Sequence, residues 1–144
     1  VKSWVRAFAP QYIPYLSTAR HTRLGADGEP VRSWVGTITL IHKEARPDLK
    51  PRRLQDMSIS DEDAAWATGR ILVTSMPGRA KGEKGTLVIN VYQHQAKDEE
   101  EQARMLDILT RYLKRVKQRY TTIFMSGDFN AALDGRRWGY AGDF

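Results

Sequence analysis

Residues 86–130 decide the fold: TLVINVYQHQAKDEEEQARMLDILTRYLKRVKQRYTTIFMSGDFN. The stretch opens on Thr86–Tyr92, a run almost continuous in apolar residues, which predicts a central strand covered on both faces. It closes on Thr121–Ser126 (TTIFMS), a second strand that runs straight into Gly127-Asp128-Phe129-Asn130. Between them, Met105, Leu106, Ile108, Leu109, Tyr112, Leu113 and Val116 recur at helical spacing and predict a helix over Asp98–Arg119. Four acids, Asp98 to Glu101, fall in its first turn, and Arg111, Lys114, Arg115, Lys117 and Arg119 fall toward its end. That polarity complements the helix macrodipole, and Asp98 with Glu101 resembles a capping box. A solvated helix face is sufficient reason for such charges. A strand, a helix and a strand in succession make a crossover with its strands parallel. The expected class is therefore mixed α and β, an α+β or α/β arrangement in one unit.

Working outward, Trp34–Ile41 (WVGTITLI) is rich in β-branched residues and reads as a strand. Tyr15–Leu24 forms a second, and the turn signal Gly25-Ala26-Asp27-Gly28 joins the two as an antiparallel hairpin. Lys43–Arg53 is basic and interrupted by Pro47 and Pro51, hence mostly loop. Asp61–Thr68 (DEDAAWAT) fits either a helical turn or a polar edge before the next strand, Gly69–Ser75, which Pro77-Gly78 ends. Val1, Trp4, Val5 and Phe8 make the stripe of an amphipathic opening helix, stopped by Pro10 and Pro14. Trp4, Trp34 and Trp66 are expected in the core or at its rim.

Composition sets the class limits. A chain of 144 residues, 41% hydrophobic and 28% charged, suits one soluble globular domain, residues 1–144. No apolar run approaches the roughly 20 residues that cross a bilayer, so no membrane is expected. The absence of cysteine excludes disulfides, thiolate zinc sites and a cysteine nucleophile. Twenty-three Lys and Arg against 17 Asp and Glu leave a charge of +6 and a pI near 9.7. Such an excess favours an anionic partner, nucleic acid first, without specifying any chemistry. Arg52, Arg53, Arg79, Lys81 and Lys84 lie in loops, where they could track a phosphate backbone or simply be solvated. The chain opens without methionine in a helix already under way and halts at Phe144 after a run of Gly, Trp and Tyr, as a fragment would.

Gly127-Asp128-Phe129-Asn130 is where chemistry concentrates. Alternation along a strand puts Asp128 and Asn130 on one face and turns Phe129 toward the core. A carboxylate and an amide together can hold a water and a phosphate oxygen. An Asx turn capping the strand is the plainer alternative. The preceding strand, however, delivers Tyr92 to the same sheet end, with His94 and Gln95 just beyond it. A phenol, a carboxylate and an amide would then converge where open α/β sheets gather ligands.

NVYQHQ, a long helix and TIFMSGDFNAAL, in that order, resemble the central portion of the endonuclease/exonuclease/phosphatase superfamily. WVGTITLI and GRILVTS also fall where that family places strands, and Arg137-Trp138-Gly139-Tyr140 is most similar to its retrotransposon branch. The resemblance implies part of a four-layer α/β/β/α sandwich with mixed sheets, and Mg²⁺-dependent hydrolysis of a nucleic-acid phosphodiester, DNA before RNA, in an intracellular protein. It implies Asp128 as the base that activates water, Asn130 as a holder of phosphate and water, and Tyr92 as a hydrogen-bond donor to the phosphate. Gln95, His94 and Trp138 become candidates for substrate contact. The family's early asparagine and metal-binding glutamate would precede Val1, and its closing Ser-Asp-His would follow Phe144. No certain metal ligand lies in the chain, the missing parts of the domain or the parent polyprotein become its expected partners, and no nicking by the chain alone is expected. Two rivals stand beside this expectation. One is an inactive remnant that keeps a basic nucleic-acid-binding surface. The other is a relative acting on phospholipids or inositol phosphates.

Overall fold

A computed structural model describes residues 1–24, 27–48, 51–52, 59–93 and 99–129. Their order is α1 (Lys2–Phe8), β1 (Tyr12–Leu24), β2 (Pro30–His42), a 3₁₀ turn (Lys43–Ala45), α2 (Asp61–Ala67), β3 (Ile71–Met76), β4 (Gly85–Tyr92), α3 (Glu99–Val116) and β5 (Tyr120–Asp128). The content is mixed α and β in two sheets. β1 and β2 form an antiparallel hairpin, and β3, β4 and β5 form a mixed sheet with β4 in the middle. β3 runs antiparallel to β4, whereas β5 runs parallel to it after the α3 crossover. No described helix is long and apolar enough to cross a membrane.

Alternation along β3 and β4 divides the central sheet into two unlike faces. Ile71, Val73, Leu87, Ile89 and Val91 turn to α2 and α3, where they meet Ala64, Ala67, Met105, Ile108, Leu109, Tyr112 and Val116 in one buried cluster. The opposite face meets the hairpin through a much smaller cluster of Tyr15, Ile41 and Leu72. Polar groups fill the rest of that layer. The Asn90 amide donates to the Ile38 carbonyl at 2.7 Å, and the Ser17 hydroxyl accepts from the Gly69 N–H at 2.9 Å. Thr37 and Thr74 are buried in the same layer.

Several expectations change in detail. Both hairpin strands are longer than their apolar runs, and Pro14 lies within β1, paired with Leu40, so the opening helix ends at Phe8 without its help. β4 is fully covered only toward α3; its residues alternate between buried and half-buried because the hairpin side is thinly packed. Asp61–Ala67 is a helix because the Ser60 hydroxyl accepts from the Asp63 N–H at 3.1 Å and three acids occupy its first turn. In α3, Leu106 is exposed, since the stripe that packs on the sheet is narrower than the run of apolar residues. Asp98 lies outside the described residues, and with it the capping box. Trp4 belongs neither to the core nor to its rim. It is 58% exposed and touches Phe8, because α1 spans only two turns and turns Val5 alone inward. Trp66 does pack against the main cluster, beneath the Arg70 and Arg104 guanidinium groups. The side chain of Trp34 lies outside the described residues.

Candidate site at the carboxyl ends of the parallel strands

Parallel pairing of β4 and β5 runs in register to their ends, where Tyr92 lies opposite Asp128. The ladder continues one step further, with the Gln93 N–H donating to the Asp128 carbonyl at 2.7 Å. On the other side, the Tyr92 N–H donates to the Arg70 carbonyl at 2.7 Å, so three chain segments fix the position of Tyr92. Neighbouring residues of parallel strands share a face. Tyr92 and Asp128 therefore emerge together on the side away from α3, the side on which the hairpin packs. Asp128 is exposed to solvent and Tyr92 is half-buried. A carboxylate open to water beside a partly sheltered phenol can take a proton from a water and offer a hydrogen bond to an oxyanion.

Gly127 makes this approach possible. Its φ is +143°, and a Cβ there would fall on the Val91 carbonyl oxygen. Only glycine lets β5 lie so close to β4 one residue before the carboxylate. Phe129 turns back and packs against the main core, which anchors the strand end from the opposite face. Asn130, His94, Gln95 and Trp138 lie outside the described residues, as do Arg137, Gly139 and Tyr140.

One neighbour escaped the sequence reading. Arg70 is buried at the start of β3, directly beside Tyr92. Its guanidinium bonds the Trp66 carbonyl at 3.0 Å, lies 4.5 Å from the Trp66 ring centroid and pairs with Glu101 at 3.4 Å. Burial lowers its pKa, Glu101 opposes that shift, and Arg104 adds to it. Arginine nevertheless keeps its charge, so Arg70 is a permanent cation tying α2 and α3 to the site end of the sheet. Arg70 lies in the turn between α2 and β3, and its Glu101 partner is 31 residues away, so no local periodicity signalled it.

Among the described residues, no three or more His, Asp or Glu side chains gather in a way that could hold a metal ion. The carboxylate and phenol at the strand ends therefore do not by themselves fit a Mg²⁺ site. No known protein family, curated protein or solved structure matches the chain.

Proposed function

We propose that the chain hydrolyses nucleic-acid phosphodiesters as part of an endonuclease/exonuclease/phosphatase-type domain of the retrotransposon kind, within a four-layer sandwich. The observation that carries this reading is the pairing of Tyr92 with Asp128 at the carboxyl ends of two parallel strands, on one face, with Asp128 exposed and Tyr92 half-buried. The Asp128 carboxylate takes a proton from a water as that water attacks phosphorus, while the opposite P–O ester bond breaks and the departing sugar oxygen takes a proton from solvent. The Tyr92 hydroxyl donates to a non-bridging oxygen and holds the phosphate in line. Asn130 belongs to the same proposal through its place two residues past Asp128. Mg²⁺ is the proposed cofactor, and it would stabilise charge on the phosphate when bound. No ligand set for it forms among the described residues.

A supercoiled-plasmid nicking assay with Mg²⁺ tests the proposal. It should compare the 144-residue chain, the chain with its flanking coding sequence, and Asp128→Ala in each. The expected result is no nicking by the 144-residue chain alone, and nicking by the chain with its flanking sequence that falls by roughly 10²–10⁴ in its variant. Nicking that survives Asp128→Ala, or none in any protein, defeats Asp128 as the base. A second reading, nucleic-acid binding without hydrolysis, draws support from the exposed basic loop between β3 and β4, with Arg79, Lys81 and Lys84. Salt-sensitive DNA retardation without nicking would favour it.

A further inference from the structure

The opposite end of the central sheet, roughly 23 Å from Tyr92 at the usual rise per strand residue, holds a cavity of about 470 Å³. It opens where β3 ends and where β4 and β5 begin, and three cations line it: Arg52, Lys84 and Arg119. Two carboxylates also line it, but both are already engaged. Glu83 accepts the N–H groups of Arg79 and Ala80 at 2.8 and 3.0 Å. Asp48 accepts from Arg52 at 2.9 Å and from the buried Ser75 hydroxyl.

The Arg52 guanidinium is held in advance of any ligand. Its Nε donates to the Ser75 hydroxyl at 2.9 Å, and its backbone is tied to β3 by the bond from its N–H to the Val73 carbonyl at 2.8 Å. Of the five N–H bonds of its guanidinium, those to Ser75 and Asp48 use two and leave three without a partner among the described residues. Tyr112 lies in the adjoining core and does not itself line the cavity. Its hydroxyl is completely buried and has no hydrogen-bond partner among the described residues. Burial raises its pKa, and the side chains acting on it electrostatically are Tyr120, Arg52 and Arg119, all three of which line the cavity. A buried phenol keeps its proton and can donate it, and leaving such a donor unpaired in the interior is costly.

We propose that this cavity is a binding site for a phosphate-class oxyanion, held by Arg52, Lys84 and Arg119. The proposal does not rest on the hydrolytic reading, because it uses no residue of the Tyr92–Asp128 end. The volume falls within the roughly 300–1,000 Å³ of small-molecule sites and leaves room for whatever bears the phosphate. That bearer is either a free nucleotide or a nucleic-acid backbone.

Titration of the 144-residue chain with inorganic phosphate, followed by amide chemical shifts, tests the site. Saturable shifts are expected at residues 75–78, 84–85 and 119–120. Arg119→Gln, at an exposed turn, should weaken phosphate binding about tenfold. Lys84→Gln, on the exposed loop before β4, should weaken it severalfold without lowering thermal stability, which a merely structural lysine would not do. Absence of saturation at millimolar phosphate, or the same affinity in Arg119→Gln, overturns the proposal. Displacement of phosphate by a mononucleotide but not by a short oligonucleotide assigns the site to free nucleotides; displacement by the oligonucleotide assigns it to backbone phosphate.

Discussion

The two faces of the β3–β4–β5 sheet are built on different physics. Toward α2 and α3, thirteen buried apolar residues form one cluster, with Leu87, Ile89 and Ile108 fully sealed from water. Toward the hairpin, three buried residues suffice, and much of the layer is hydroxyl and amide groups: Ser17, Thr37, Thr39, Thr74 and Asn90. Stability follows apolar area removed from water, so the helix face carries most of it. Tyr92 and Asp128 emerge on the hairpin side, Asp128 exposed and Tyr92 half-buried. The sheet thus separates the surface that holds the fold from the surface that could work on a substrate.

Large-to-small substitutions should expose this division most clearly. Ile108→Ala leaves a cavity in a sealed cluster and should cost about 2–5 kcal/mol in denaturant unfolding. Ile41→Ala, in the sparse inter-sheet layer, should cost about 2 kcal/mol or less. Equal losses would mean that the faces contribute alike. Next in size comes Gly127→Ala, which forces a side chain into a backbone conformation suited to glycine and onto the Val91 carbonyl. A loss of about 1–3 kcal/mol is expected, together with changed amide shifts at residues 91–93. A neutral outcome would show that β5 can move away from β4.

A smaller effect belongs to the clasp between α2 and α3. Asp63 bonds Arg111 at 2.7 Å and Arg104 at 3.0 Å. The Arg111 bond does most to lower its pKa; desolvation opposes the shift, and bonds from Arg104 and Ser60 reinforce it. A lowered folded-state pKa means stabilisation that is complete above the ordinary carboxylate range and lost as pH falls through the folded value. Asp63→Asn should therefore lower stability at neutral pH by at most about 1 kcal/mol, and wild type and variant should converge in acid. A gap that persists at low pH would contradict this account. The smallest change is Thr74→Val. The Thr74 hydroxyl is buried without a partner among the described residues, so replacing it with a methyl should be neutral or stabilising by up to about 1 kcal/mol. A clear loss would reveal a hydrogen bond in the inter-sheet layer.

How far the sequence could be read follows the same division. The helix face was legible because its residues repeat at helical and strand periods: α3 falls within the Asp98–Arg119 stretch, and β4 and β5 lie where their apolar runs stand. The adjacency of Tyr92 and Asp128 followed from the crossover alone. The hairpin face was less legible, since Pro14, Ser17 and Thr37 interrupt the apolar alternation and the strands owe their length to each other's backbone. The α2 helix was hidden by a polar sequence, although Ser60 three residues before Asp63 marked its cap. Cations held by distant partners left no local trace. Arg70 depends on Glu101, and Arg52 on Ser75, across separations no periodicity reports. The cavity beside Arg52 and Arg119 was invisible for the same reason.

The parallel union of β4 with β5 also orders events in time. Tyr92 and Asp128 are separated along the chain by the whole of α3, so their ladder cannot close until that helix has carried the chain back. The β1–β2 hairpin needs only a short loop, a process of roughly microseconds. In pulse-labelled hydrogen exchange during refolding, amides of residues 37–41 should gain protection before those of 120–128. The thinner layer would then be the first to take shape, and the end of the sheet bearing Asp128 among the last.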